Sequence, residues 1–549
     1  MSDAGDGDHR TGVEPAASGV VSSRVASSST RGYLIVFAQK HEDFRLAELD
    51  SLLVLCGVAA PRECYDAAAY SPVHPFLQID LPSRAVASRL VKRAILVKRL
   101  YELWAAVPGG DAPLSGLVDA MGAVAAESPA FTALALDATK SWALDIKSFG
   151  RKLSSKEQQT VRMRFSFLPF AGKVQLRGAN NVWTVVIHTT PCTDLQVKPK
   201  TMKVEACYFC RLVGDCARDI IDVHDLKKRK YLGPTSMDAE LSLVMANMGL
   251  VRPGAIVLDP YVGTGSLLVA CAQFGAVCMG TDIDHRVLRG KGAGKTMRDN
   301  FEQYGLPLPE IVRMDLSPAG AAGLRIWAPR RSDGTTAEAA GTVAGEGSSV
   351  ARTPPPPLID AIVCGALPPP LIEALRVLSP PVSSVCSFLN IRIRAFALLS
   401  LADPPYGIRA GARKSGSKKS VVHAVPVEFI GTHIPQTQPY AASEVMRDLL
   451  ELAARCLVVG GRLVYLLPVD RATYDPALLP AHDCLRHVAN SEQGLTRAFS
   501  RRLITMEKTR VYVADDIATF EAQCAAGDAA EGSFYSNVSE KIGRKAGGR

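Results

Sequence analysis

The stretch VLDPYVGTGSLLVACA, residues 257–272, constrains the fold more than any other part of the chain. An apolar run stops at Asp259-Pro260, and proline cannot continue a central strand. Gly263 and Gly265 follow, and then an apolar run with helical spacing. Strand, glycine turn and helix in that order open a βαβ unit. The same alternation continues in "VCMGTDID", a helix expected from about 286 to 304, "EIVRMDLS" and "LIDAIVC" (358–364). After these, "AASEVMRDLLELAARCLVVGGRLVYLLPV" reads as a helix, a Gly-Gly turn and a strand. Upstream, Ser236 is placed to cap a helix beginning at Met237, with Asp238 and Glu240 in its first turn. Regular alternation of this kind specifies a doubly wound parallel sheet.

The remaining length needs at least one more domain, since 549 residues exceed a single ordinary core. Residues 1–30 are rich in Ser, Ala and Gly and read as a disordered tail. Asp3, Asp6, Asp8 and Glu14 argue against a transit peptide. Residues 31–190 read as α+β. "YLIVFA" is a strand, "HEDFRLAELDSLLVLCGV" a helix and "HPFLQIDLP" a strand. "SRAVASRLVKRAILVKRLYELW" (83–104) is a long basic helix whose arginines and lysines read either as a solvated charged surface or as candidate phosphate contacts. From 140 to 190 the pattern predicts a strand, a basic helix, a strand over "FSFLPFAGKVQL" and a strand over "NVWTVVIH". Residues 191–230 are expected to form a linker helix that includes Cys207 to Arg218. Cys207, Cys210, Cys216 and His224 suggest zinc, but no second Cys-x-x-Cys is present, and ordinary thiols are expected with no metal. Residues 231–515 form the α/β domain, with a disordered insert at 318–357, and 516–549 is a tail of low pattern.

Thirteen scattered cysteines without framework spacing point to a reducing, cytoplasmic compartment. No apolar run of about 18 residues is free of charge and proline, so no membrane span is expected. The net charge of +9 (63 − 54) permits a polyanionic partner without requiring one.

Chemistry is expected at the carboxyl edge of the sheet. Glycines at 263 and 265 let a ligand approach the backbone. The turn lacks the full dinucleotide fingerprint and a P-loop lysine, which disfavours a nucleotide phosphate. Asp259, Asp282 and Asp315 end successive strands, and Asp282 stands where an acid receives ribose hydroxyls in doubly wound folds. Acids at successive strand ends suit a neutral or cationic nucleoside, which S-adenosylmethionine is. The expected cofactor-binding residues are Asp259, Pro260, Gly263, Thr264, Gly265, Asp282 and Asp315. A second stiff corner, Asp403-Pro404-Pro405-Tyr406, can continue neither a helix nor a central strand.

"DPYVGTGSLL", "GTDID" and "DPPYG" together resemble class I methyltransferases acting on exocyclic amines of nucleobases. "DFRLAELDSLL", "DLKKRKYLGPTSMDAELSLVMAN", "GGRLVYLLPV" and "SRRLITMEK" extend the resemblance to the catalytic subunit of the eukaryotic tRNA guanosine-10 N2-methyltransferase family, over roughly residues 32–515. The resemblance implies a ferredoxin-like plus THUMP tRNA-binding region before a Rossmann-like methyltransferase domain. It also implies a small zinc-binding activator subunit as partner. Asp403 and the Pro404 carbonyl would accept the two N–H groups of the amine, and Tyr406 would stack on the base. Adenine N6-methylation of DNA or RNA, and a catalytically dead RNA-binding scaffold, are the two alternatives.

One feature breaks the pattern. The strand "DAIVC" ends at Cys364, yet the corner begins at Asp403, with 38 residues between them (402 − 364). Residues 365–402 are low in charge and have no clear period. Length and composition are those of a translated, retained intron of 114 nucleotides, whose removal would restore "DAIVCDPPYG". A genuine insertion, looped out so that its flanks meet, is the alternative. Mature messenger RNA is expected to lack these codons, and a transcript that encodes all 38 residues would exclude the intron.

Overall fold

The computed structural model of the 549-residue chain describes residues 31–110, 113–191, 202–317, 397–402, 404, 412–416, 436–513 and 516–529. The chain gathers into two compact units interleaved in sequence. Of the described residues, one takes 31–35, Leu77–Ala87 and those within Leu100–Gly214, and the other takes Val36–Phe76, Ser88–Arg99 and those from Asp215 onward.

The first unit is built on a six-stranded sheet. Its strands are β1 (Arg31–Phe37), β2 (Phe76–Leu81), β3 (Val97–Gly110), β4 (Trp142–Phe149), β5 (Asn181–Pro191) and β6 (Met202–Asp215), in the order β2-β1-β3-β6-β5-β4. An aromatic cluster fills its core: Trp183 stacks on Phe209 with centroids 5.5 Å apart, and Phe165 stacks on Phe209 at 5.1 Å. Buried Arg211 donates to Glu102 through Nε at 2.9 Å and to Asn181 at 3.2 Å, and Arg84 reaches the same Glu102 at 3.0 Å.

The main sheet of the second unit has, among the described residues, seven strands: β7 (Ile256–Asp259), β8 (Val277–Asp282), β9 (Glu310–Arg313), β10 (Ala397–Ala402), β13 (Leu457–Asp470), β14 (Leu485–Gly494) and β15 (Phe499–Lys508). They lie in the order β14-β15-β13-β10-β7-β8-β9. A short antiparallel hairpin, β11 (Arg413–Ser415) with β12 (Thr437–Pro439), stands outside this sheet. The pairs β7–β8, β8–β9, β7–β10 and β10–β13 are parallel, while β15 runs antiparallel between β13 and β14. Strand order reverses between β7 and β10. Doubly wound sheets bind ligands at such a switch point, outside the carboxyl ends of the strands.

A buried polar knot ties the N-terminal helices of this unit to the helix before β7. Glu48 lies in α1 (Arg45–Leu55) and is fully buried. Its carboxylate accepts from the backbone N–H groups of Ile95 and Leu96 at 3.1 and 2.7 Å, and from Asn247 Nδ2 at 2.7 Å. Helices α3 (Leu114–Ala126), α4 (Pro129–Ala135), α5 (Ser155–Met163) and α6 (Asp219–Val223) come before α7 (Ala239–Met248), which carries Asn247; this residue accepts from Arg93 Nε at 2.6 Å. Arg93 ends α2 (Arg84–Arg93), donates to Val251 O at 2.7 Å, and covers the Phe274 ring at 3.4 Å. Burial raises the Glu48 pKa and lowers that of Arg93 to about 10.

Several expected elements are corrected. The long helix over 83–104 is α2 followed by β3, because the carboxylate of Glu48 claims the amides of Ile95 and Leu96 and the chain leaves the helix there. Four of its expected phosphate contacts are engaged internally: Arg84 on Glu102, Arg89 on Cys56 O, Arg93 on Asn247 and Arg99 on Asp215. The expected strand over "FSFLPFAGKVQL" is irregular, with a single bridge from Val174 to Trp142. The expected linker helix contains β6 instead, so Cys207 and Cys210, three apart in a strand, point to opposite faces. Burial pushes the Cys207 thiol up to about 12 and raises that of Cys210 as well. Asp238 caps α7, not Ser236. The helix expected over 286–304 is split into α9 (His285–Arg289) and α10 (Met297–Gln303) by Gly290, Gly292 and Gly294, all at positive φ. In the patternless tail, α12 (Asp516–Ala529) buries Phe520 beside α11 (Ala442–Cys456) and β13.

The strand that runs into Asp403 is β10. The last six residues of the 365–402 segment therefore fill the sheet position expected for "DAIVC", and the segment does not simply loop out. "DAIVC" itself lies outside the described residues. Among the described residues no helix is long and apolar enough to cross a membrane. Glu48→Ala leaves two backbone N–H groups and the Asn247 amide unpaired, at a cost of about 3–5 kcal/mol. Chemical denaturation measures this; a loss below about 1 kcal/mol would show that the knot is not a structural anchor.

Candidate active site

At the carboxyl edge of the sheet, β7 ends in Asp259, which is almost completely buried. Its Oδ1 accepts from Tyr261 N at 3.1 Å, closing the turn around Pro260. The Pro260 carbonyl accepts from Thr281 Oγ1 at 2.9 Å, and Val262 N donates to Thr281 O at 2.8 Å, so the turn is sewn to β8.

The two glycines of the turn do different work. Gly263 has φ +50° and open space around the position of a Cβ, with Tyr261 O the nearest atom at 3.9 Å. A ligand can lie against its backbone. Gly265 has φ +81°, and a Cβ there would meet Met297 Cγ at 2.9 Å. It is a packing glycine that lets α8 (Ser266–Gln273) approach α10. Thr264 is turned inward as well. Its hydroxyl shares a hydrogen bond of 2.7 Å with Ser236, and its carbonyl accepts from Asn300 Nδ2 at 3.4 Å.

Asp282 ends β8 and is half-buried. Its Oδ2 accepts from Gly263 N at 2.9 Å and its Oδ1 from Asp284 N at 2.8 Å. Burial raises its pKa, opposed by these two N–H groups. Each oxygen retains a further lone pair for a ligand hydroxyl. Asp284 is held below the usual carboxylate range, first by Arg286. Asp315 lies two residues beyond β9. Its Oδ1 accepts from Ser317 N at 3.0 Å and its Oδ2 from Ser415 N, in β11, at 2.5 Å. The acids concentrate negative potential where a cation would be favoured and a pyrophosphate disfavoured.

Beside the turn, Tyr261 packs with Ala412, Tyr440 and Val445. The Tyr440 hydroxyl donates to Asp448, and Lys414 Nζ reaches both oxygens of Glu444 at 2.9 and 2.8 Å. Of the expected corner, Pro404 is buried, two residues beyond the end of β10. Asp403, Pro405 and Tyr406 lie outside the described residues.

Residues 31–218 match the family model of the Tmrp11 THUMP N-terminal domain, and residues 227–314 that of the RMKL-like methyltransferase domain. The chain is 32% identical over 503 residues to the tRNA (guanine(10)-N(2))-methyltransferase TRMT11 of Homo sapiens, covering 88% of this chain and 90% of that one. It is 32% identical to the Gallus gallus protein of the same name (89% and 91% covered) and 31% identical to that of Dictyostelium discoideum (89% and 87%). The chain belongs to the tRNA (guanine(10)-N(2))-methyltransferase family.

For a methyltransferase of this family the cofactor is S-adenosylmethionine, and the strand-end residues fit it. The open face at Gly263 admits a ligand against the backbone, and the free lone pairs of Asp282 suit vicinal hydroxyls. Asp259, Pro260, Thr264 and Gly265 shape the turn from within. Sequence reading missed Ser236, Asn300 and Ser415, whose partners lie far away along the chain. Only the Ser236 position within "LGPTSMD" carried a signal, and it was read as a helix cap. Asp282→Ala is expected to weaken S-adenosylmethionine binding by about 1–3 kcal/mol, measured by calorimetry. An unchanged dissociation constant would remove Asp282 from the cofactor site.

Proposed function

We propose that this methyltransferase transfers a methyl group from S-adenosylmethionine to the exocyclic N2 amine of guanosine 10 in tRNA. The observation that carries the reading is full-length similarity to enzymes of that name, joined to a switch point framed by Asp259, Gly263, Asp282 and Asp315. When bound, S-adenosylmethionine supplies an electrophilic methyl on a cationic sulfur, which leaves as a neutral thioether. The protein's task is then orientation. An exocyclic amine is a poor nucleophile because its lone pair is delocalised into the ring. Asp403 and the Pro404 carbonyl accept its two N–H groups and direct the lone pair at the methyl, and Tyr406 stacks on the extruded base. Pro405 stiffens the corner.

The parallel register of β10 with β7 (Ser400 opposite Leu258) supports this arrangement, since it brings the chain entering Asp403 beside the chain leaving Asp259. The Tmrp11 THUMP match supports residues 31–190 as the tRNA-binding region. A small zinc-binding activator subunit as obligate partner rests on the family resemblance. A cytoplasmic location rests on the thirteen scattered cysteines, whose spacing matches no disulfide framework.

Purified protein with its activator should methylate guanine-containing tRNA and not adenine-containing DNA. Asp403→Ala should abolish this transfer while cofactor affinity stays within about threefold, a difference of under 1 kcal/mol. Methylation of adenine in place of guanine, or equal loss of cofactor binding in the variant, would overturn the assignment.

A further inference from the structure

The hairpin β11–β12 is tied to the carboxyl edge of the sheet by a backbone bond. Tyr440 N donates to Ala412 O and Gly416 N to Gln436 O, each at 2.9 Å. In an antiparallel ladder these bonds alternate, so Lys414 faces Gln438 in a hydrogen-bonded pair, while the N–H of Ser415 points away from β12. That outward N–H donates to Asp315 Oδ2 at 2.5 Å. The bond joins residues 100 positions apart, and it is made by the backbone, so it fixes the register of β11 against the end of β9.

A second contact seats the same hairpin on the glycine turn. Tyr261 packs against Ala412 and Tyr440, and its hydroxyl is buried with no hydrogen-bond partner among the described residues. The hairpin therefore rests on two strand-end turns that frame the cofactor site, the turn after β7 and the turn after β9. On its far side it is anchored to α11 through Tyr440–Asp448 and Lys414–Glu444.

We propose that Asp315 is a positioning residue that couples cofactor binding to the seating of the β11–β12 hairpin, the first described element after the Asp403–Tyr406 corner. This rests on the reading that Asp315 faces the cofactor. Ser317 N and Ser415 N each take one lone pair of the Asp315 carboxylate, which leaves one lone pair on each oxygen. Asp282, on the neighbouring strand, is read as the ribose acceptor, and the lone pairs left on Asp315, the next acid along the edge, are open to a further donor from the cofactor. A carboxylate already fixed by two backbone donors loses little freedom on accepting a third. Cofactor held by Asp315 in turn stabilises the side-chain orientation that Ser415 requires. Coupling of this kind is reciprocal, so a seated hairpin strengthens cofactor binding and bound cofactor seats the hairpin. Cofactor binding would thus prepare the tRNA side of the site before the substrate arrives.

The test uses the intact protein and S-adenosylhomocysteine as probe. Amide exchange in a peptide covering Ala412–Gly416 is expected to slow by about fivefold or more at saturating probe, the lower end of ordinary coupling between sites. Ser415→Pro removes the donor without breaking a ladder bond and should weaken probe binding by a similar factor. It should raise the KM for S-adenosylmethionine more than it lowers kcat. Ser415→Ala keeps the N–H and should bind the probe as the parent does. Calorimetric binding of the probe without any slowing of exchange in this peptide would overturn the inference and leave the cofactor assignment standing. So would a Ser415→Ala variant as impaired as Ser415→Pro. Failure of the parent protein to bind the probe at all would overturn both.

Discussion

The carboxylate of Glu48 is the point on which the second unit turns. It is fully buried, and a buried charge persists only when its lone pairs are claimed. Two backbone amides at the end of α2 and one side-chain amide from α7 claim them. In return they stop α2, start the turn into β3, and lock α1 against the helix that leads to β7. The partner charge, Arg93, does not touch Glu48; Asn247 relays between them and lets both be dehydrated without direct ion pairing. The helix that precedes the catalytic sheet is thereby held in place through Asn247.

At the site itself the acids have two duties. Asp282 and Asp315 each accept two backbone N–H groups of the protein itself. Their side chains are oriented in advance, and a ligand donor meets an acceptor that need not reorganise. Positioning is the main lever available to a methyltransferase whose leaving group is already good, and the polar order at these strand ends serves it. The packing of Tyr261 against Tyr440 continues that order outward from the cofactor edge.

The sheet was legible because its signals are local. Asp259-Pro260 and the paired glycines announce a strand end and a turn within eight residues, and Asp282 and Asp315 follow at matching positions. Elements misread from sequence are those decided by distant partners. "SRAVASRLVKRAILVKRLYELW" has helical spacing throughout, and only the carboxylate of Glu48, some fifty residues upstream, decides where the helix stops. Cys207 to Arg218 looks amphipathic in either period, and pairing with β5 chose the strand. Ser415 could not be found at all, since its contribution is a backbone N–H that every residue but proline carries. Ser236 was noticed for the right local reason, a hydroxyl before a helix, but its hydroxyl serves Thr264 while Asp238 caps the helix.

The reversal of strand order has a consequence for how this lineage can change. After β9, at one edge, the chain returns to the middle of the sheet to lay down β10, and 83 residues (396 − 313) separate the two strands. Chain-closure entropy grows only as the logarithm of length, so doubling such a connection costs roughly 0.6 kcal/mol. That is less than a single buried hydrogen bond contributes. Sequence gained or shed there is almost invisible to selection on stability, provided that six residues able to pair with β7 and β13 still arrive directly before Asp403. The crossover is therefore the place where non-coding sequence, once translated, could persist in an enzyme without unfolding it.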